Sequence, residues 1–220
     1  MRQHNRPAAT YDTSIFLNCP FDPAYQPIFD ALVFAAFDCG YVPRCALEID
    51  DGGQVRIEKI LEMIRECRLG VHDISRTEAD QGSQLPRFNM PFELGLFLGA
   101  AKFGAGNQKS KLCLVLDRER YRFQKFMSDI AGQDIKSHKD DPDEAIKVLR
   151  KWFSAFNQGE VLPGGAAIVR RYHLFRSKLP DILAKLQLEE CEVSFADYAN
   201  IVAEWLAEQP RSPMRRAGSE

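Results

Sequence analysis

The segment that most limits how this chain can fold is Lys111 to Asp117, KLCLVLD. Its run from Leu112 to Leu116 shows no alternation between a wet and a dry face, so a strand formed here must be covered on both sides. That is the pattern of a strand in the middle of a parallel sheet, and such a sheet needs helices to carry the chain back between strands. The flanking sequence supplies them. Ser14 to Asn18 is a short apolar strand, halted by Cys19-Pro20-Phe21-Asp22-Pro23, in which the prolines withdraw ladder donors and force a turn. Tyr25 to Phe37 carries Ile28, Leu32, Ala35 and Ala36 at helical spacing and is closed by Gly40. Tyr41 to Ala46 is a second strand, and Asp50-Asp51-Gly52-Gly53 a turn. Val55 to Cys67 is an amphipathic helix with Ile57, Ile60, Leu61 and Ile64 on one face.

Leu69 to Ile74 is a third strand, followed by a polar loop from Thr77 to Pro86. Pro91 to Lys102 is apolar nearly all round, as expected of a helix buried between other elements. Beyond the central strand, Tyr121 to Ile130 reads as a helix and Gln133 to Lys139 as an edge strand. Asp143 to Phe156 is an amphipathic helix opened by Asp141-Pro142-Asp143. The alternation predicts an α/β domain with a five-stranded, mostly parallel sheet and helices on both faces. Leu162-Pro163-Gly164-Gly165 marks a boundary, after which Ala166 to Leu186 and Ser194 to Leu206 form two more helices, the second opened by a capping box from Ser194 to Asp197. The expected division is a disordered tail at 1–11, the α/β domain at 12–157, a C-terminal helical extension at 163–208 and a disordered Pro-, Arg- and Ser-rich tail at 209–220. Phe175, Leu179, Trp205 and Leu206 give the extension enough apolar surface to dock on the α/β core or on a second copy of the chain.

A net charge of −2 and an isoelectric point of about 6.1 provide no basic field for duplex nucleic acid. No run approaches the roughly 18 apolar residues of a membrane span, and the polar N-terminus lacks the apolar segment of a signal peptide, so a cytoplasmic protein is expected. The six cysteines contain no CxxC pair and several lie in apolar runs, which reads as reduced core residues. His4, His72, His138 and His173 are too scattered to propose a metal site, and neither a GxGxxG turn nor a Walker loop is present. No cofactor is expected.

In an open parallel sheet, ligands bind outside the carboxyl ends of the strands where strand order reverses. Three segments end at that edge: the loop from Asn18 to Tyr25, the loop from Asp73 to Arg76, and the start of the helix containing Glu93. With Pro91 at the first helical position, Glu93 falls at about the third, where a carboxylate can simply complement the helix dipole. Glu93 also shares a stripe with Leu96, Phe97 and Ala100, so its carboxylate meets packed apolar surface and needs a partner or a ligand. Asp73 can accept ribose hydroxyls or cap the following turn. Asn18, Phe21, Asp22 and Tyr25, set by Pro20, offer amide, aromatic and carboxylate groups that could orient a heterocycle. Arg76 and Arg87 flank the polar loop and could pair with phosphate, and Ser75, Asn89 and Phe92 complete the candidate ligand-contacting set. A carboxylate beside a ribose can act as nucleophile at the anomeric carbon or stabilise an oxocarbenium-like state.

The segments SIFLNCPFD at Ser14 to Asp22, RLGVHDIS at Arg68 to Ser75 and FNMPFELGLFLGAAKFG at Phe88 to Gly104 resemble the nucleoside 2-deoxyribosyltransferase and bacterial TIR-like group, over roughly residues 12 to 157. The resemblance implies a flavodoxin-like domain in which Glu93 is the catalytic residue of glycosidic cleavage. It places Asp73 near the sugar or base and makes Asn18 to Phe21 the first ligand-contacting loop. It further implies a small nucleotide or nucleoside ligand, with NAD as a substrate and not a cofactor, and homo-oligomerisation, for which the C-terminal helices are available. The chain departs from the group where Arg87-Phe88-Asn89-Met90 replaces a glycine-threonine pair, and it lacks a nearby tryptophan and cysteine common in enzymatic TIR domains. A non-catalytic nucleotide-sensing or interaction module is therefore the second expectation.

Overall fold

The computed structural model describes residues 8–48, 53, 55–78, 85–157 and 161–209. Strands β1 (Ser14–Asn18), β2 (Val42–Arg44), β3 (Leu69–Asp73), β4 (Leu112–Asp117) and β5 (Lys136–Ser137) form one sheet in the order β2-β1-β3-β4-β5, with every pair parallel. Helices α1 (Gln26–Asp38), α2 (Arg56–Glu66), α3 (Asn89–Phe103) and α4 (Pro142–Ser154) connect and cover the strands. Two further helices, α5 (Gly165–Leu186) and α6 (Phe195–Glu208), complete the described chain. This is a flavodoxin-like α/β fold.

Strand periodicity divides the interior into layers. Ile15 and Leu17 of β1 point into the core shared with α1 and α4, while Phe16 between them joins Ile60, Met63 and Ile64 of α2 and Phe97 of α3. In β4, Leu114 and Leu116 enter the first layer and Val115 packs with Ile74, Leu94 and Phe123 on the other. The apolar run of β4 is thus covered on both faces, buried from Leu114 to Leu116 and half-buried at Leu112 and Cys113. Gly70 of β3 permits the closest approach: a Cβ there would lie 2.7 Å from the Phe97 ring and 2.8 Å from His72 Nε2, so only glycine lets α3 settle on the sheet.

Helix α1 is buried without interruption from Ile28 to Phe37, because α5 and α6 pack across its outer side. The Phe34 ring meets Tyr172 at 5.5 Å, Phe175 at 5.4 Å and Trp205 at 6.0 Å. Arg176 Nη1 lies 3.0 Å from Asp30 Oδ2, and Arg171 Nε donates to Asp38 Oδ2 at 3.0 Å, so two ion pairs fasten α5 to α1. Of the two dockings open to the C-terminal helices, this structure has them on their own α/β core. The Ser194 to Asp197 capping box is present, with Asp197 N donating to Ser194 Oγ at 3.2 Å and Ser194 N to Asp197 Oδ2 at 3.0 Å. Gly40, at φ +86°, reverses the chain after α1, with Tyr41 N donating to Ala36 O at 2.9 Å.

Several expectations need correction. Tyr121 to Ile130 is not an α-helix but two short 3₁₀ turns, Arg122–Lys125 and Ser128–Ile130. Tyr121 takes φ +62°, which an α-helix cannot continue through, and Arg122 is drawn inward to Asp117. Helix α3 begins at Asn89, so Pro91 occupies its third position, where the missing N–H would have had no intrahelical partner in any case. Nor is α3 buried all round: Glu93, Leu94 and Phe97 are buried, whereas Phe88, Phe92 and Phe103 are exposed. All six cysteines are free, but Cys191 is exposed and not part of the core. The turn expected at Asp50-Asp51-Gly52-Gly53 lies mostly outside the described residues, as do the middle of the polar loop, residues 1–7 of the N-terminal tail and all but Gln209 of the C-terminal one, whereas Tyr11, expected in the disordered tail, donates its hydroxyl to Asn107 O at 2.6 Å. Among the described residues, no helix is long and apolar enough to cross a membrane.

Candidate functional site

Chain order reverses between β1, which leads through α1 to β2, and β3 on its other side. The carboxyl ends of these two strands therefore open the crevice where such folds bind ligands. Asn18 ends β1 and is buried. Its Nδ2 donates to Met90 O at 3.0 Å and lies 3.0 Å from His72 Nδ1, latching the first turn of α3 onto the sheet. An amide NH₂ needs an acceptor, so His72 carries its proton on Nε2. Burial, assisted by the Lys111 charge, pushes the His72 pKa down to about 3 and keeps the ring neutral.

Glu93 stands one turn further along, at the fifth position of α3 and not the third. The difference matters chemically. At the third position the carboxylate could have bonded an end amide; at the fifth it has left the reach of the helix terminus. Glu93 is only 4% exposed, yet it makes no hydrogen bond or ion pair among the described residues. Burial pushes its carboxyl up to about 7, with Arg56 at the start of α2 pulling the other way. Its charge also reaches the buried Cys19 thiol, which is raised chiefly by burial and by Asp73.

Asp73 ends β3 and is fully buried. Its Oδ2 accepts the Tyr25 hydroxyl at 2.8 Å, and its Oδ1 accepts the Ser75 N–H at 2.8 Å together with the Ser75 hydroxyl. His138 Nε2, just past β5, lies 3.0 Å from Oδ2. Because His138 Nδ1 accepts the Asp140 N–H at 3.0 Å, its proton sits on Nε2, facing Asp73. Asp73 therefore joins β3, the loop before α1 and the end of β5. Asp73→Asn is expected to destabilise the fold by about 1–3 kcal/mol, because an amide in this orientation turns a donor toward the donors of Tyr25 or His138. A urea titration against wild type checks it, and an unchanged midpoint would remove Asp73 from this structural role.

The other candidates distribute around these groups. Tyr25 is fully buried, with burial first and then Asp73 pushing its phenol well above the usual range, so its ring is committed to the interior. Phe21 stands edge-on to Phe29 at 5.5 Å, and Pro20 is buried behind it. Asp22 Oδ1 accepts the Tyr25 N–H at 3.1 Å, and Asp22 Oδ2 lies 3.5 Å from Arg76 Nε, bridging the loops after β1 and β3. Asn89 and Phe92 lie on the exposed side of the first turns of α3, and Arg87 precedes them, also exposed. Tyr25 and Ser75 are thus both joined to Asp73, Asp22 and Arg76 pair across the crevice, and Glu93 has no hydrogen-bond or ion-pair partner among the described residues.

His72, His138, Asp117 and Arg122 were not singled out by the sequence pattern. Asp117 ends β4 in full burial; Arg122 Nε donates to its Oδ1 at 2.8 Å and Arg122 Nη2 to Ile74 O at 2.7 Å, holding the start of the loop after β3. One signal was available: LGVHD and LCLVLD close β3 and β4 with the same residue. Among the described residues, no group of three His, Cys, Asp or Glu side chains is arranged to hold a metal ion. No protein-family model matches the chain, and no curated protein matches it in sequence. The crevice is therefore read from its own chemistry.

Proposed function

We propose that the crevice between β1 and β3 cleaves or transfers the N-glycosidic bond of a nucleotide or nucleoside, with NAD and deoxynucleosides as the substrate classes to test and Glu93 as the catalytic carboxylate. The observation that carries this reading is a buried carboxylate, at the ligand edge of the sheet, with no described partner and a pKa of about 7. A fold does not leave such a group uncompensated without cost, and active sites are where that cost is retained. In its ionised form Glu93 would attack the anomeric carbon or stabilise the oxocarbenium-like state while the base departs with the bonding electrons; water or an acceptor hydroxyl would then take the sugar. Phe92, next to Glu93 in sequence, is exposed and offers a ring on which a base would stack. The resemblance of the three segments around Asn18, Asp73 and Glu93 to the deoxyribosyltransferase and TIR-like group points to the same chemistry.

A second reading, a nucleotide-sensing or interaction module without catalysis, is favoured by one observation. Tyr25 and Ser75 both donate to Asp73, which leaves a ligand fewer groups than the resemblance assigns. The two are separated by incubating the protein with NAD and a panel of deoxynucleosides and following free base by chromatography. Base release from at least one substrate is expected, rising as pH increases through about 7 because the nucleophile must be ionised. Binding without release would establish the module reading instead.

A further inference from the structure

One cleft in the described structure lies away from Glu93 and is lined by other residues. It lies beyond β5, the edge of the sheet farthest from β2, between the 3₁₀ segment after β4 and helix α4, and encloses about 630 Å³. That volume is in the range of pockets for small organic ligands, on the order of 300–1,000 Å³. Its lining combines cations with aromatic rings. Arg120 and Lys151 stand in the cleft with no ion pair among the described residues, whereas Lys136 and Lys139 are balanced by Asp134 and Glu144. The cleft therefore keeps a positive excess. Trp152 is half-buried there, its ring 5.0 Å from Phe156 and 5.4 Å from Phe153, and its indole N–H makes no hydrogen bond among the described residues. Tyr121 borders the same space and is 67% exposed.

The backbone around the cleft is unusual for its residue types. Tyr121 has φ +62° and Lys139 φ +58°, both left-handed, and both residues line the cleft. Non-glycine residues hold such conformations where surrounding structure enforces them, and these cluster at ligand-binding positions. Here the enforcing contacts are Arg122 on Asp117 and Lys139 N on Arg118 O at 3.1 Å.

We propose that this cleft binds a phosphorylated heteroaromatic molecule of mononucleotide size, at a site separate from the Glu93 crevice. Arg120 and Lys151 meet the phosphate, and Trp152 and Tyr121 meet the base. A volume of about 630 Å³ is enough for a single nucleotide. The site does not depend on the chemistry assigned to Glu93.

The test is titration calorimetry of the full chain with AMP, GMP, CMP and UMP, with adenosine and inorganic phosphate as separate arms. At least one mononucleotide should bind, with its nucleoside and free phosphate each weaker by about tenfold or more. Ligand should quench Trp152 fluorescence, a change lost in Trp152→Phe. The double variant Arg120→Glu, Lys151→Glu alters two exposed side chains and should lower affinity by about tenfold or more; Lys151→Ala alone should give a smaller loss in the same direction. Glu93→Gln should leave binding unchanged. The proposal is overturned if no mononucleotide binds or if phosphate alone binds as tightly. It also fails if Glu93→Gln abolishes binding that the cleft variants leave intact, since the nucleotide would then occupy the crevice.

Discussion

Glu93→Gln is expected to remove base release by at least about a hundredfold and, in the same molecule, to raise folding stability at about pH 8 by roughly 1–2 kcal/mol. The loss of activity follows because an amide of the same shape can neither attack the anomeric carbon nor carry the charge that balances an oxocarbenium-like state. The gain in stability follows from where the proton sits. Burial holds the Glu93 carboxyl at about 7 against an ordinary 4.5, so the folded chain keeps a proton that the unfolded chain has released. That contribution is fully present below pH 4.5, declines between 4.5 and 7, and is gone above. Glutamine, uncharged at every pH, escapes the decline. The full shift, from 4.5 to about 7, would correspond to between about 3 and 4 kcal/mol at roughly 1.4 kcal/mol per unit, an upper bound that rearrangement of the site around the charge reduces. Urea titrations of both proteins at about pH 8 and about pH 4 check the sign, since the advantage should vanish in acid. A variant less stable than wild type at both would give Glu93 a structural partner and sink the argument.

Phe175→Ala is expected to cost about 3–5 kcal/mol, a large share of the roughly 5–15 kcal/mol that keeps an ordinary domain folded. Phe175 is completely buried, packed at 5.4 Å from both Phe34 and Trp205, and reaches Tyr198 at 5.9 Å. Its removal leaves a cavity where α1, α5 and α6 meet. Leu174, its neighbour in sequence, is 48% exposed and should lose only about 0.5 kcal/mol or less as alanine. The contrast distinguishes an integral layer from a detachable appendage. Chemical denaturation of the two variants measures it; equal and small losses would mean the C-terminal helices only rest on the domain.

The topology was legible because its signals are local. Period-2 and period-3.6 patterns alternate from Ser14 onward, and the run in β4 has no interpretation other than a doubly covered segment. What escaped depends on distant partners. The 3₁₀ turns after β4 exist because Arg122 finds Asp117, and nothing in the intervening residues announces that contact. The apolar composition of α3 suggested burial all round, but its outer side, at Phe92 and Phe103, has no covering element among the described residues. In the crevice, the positions of Asn18, Asp73 and Glu93 followed from strand ends. The partnership of Tyr25 with Asp73 did not, since it spans 48 residues and turns an aromatic ring expected at a ligand into an interior support. His138 had no pattern to reveal it, because its role arises only once β5 lies beside β4.

The latch at Asn18 sets unequal tolerance on the two residues it joins. Its acceptor is the main-chain carbonyl of Met90, so the side chain at 90 is free to drift without loosening α3. Position 18 has no such freedom. Aspartate has the same shape but would set oxygen against the Met90 carbonyl and against the lone pair of a ring held neutral beside it. Substitution can thus change the side chain at 90 freely, while the amide at 18 that orients the helix carrying Glu93 must stay in place.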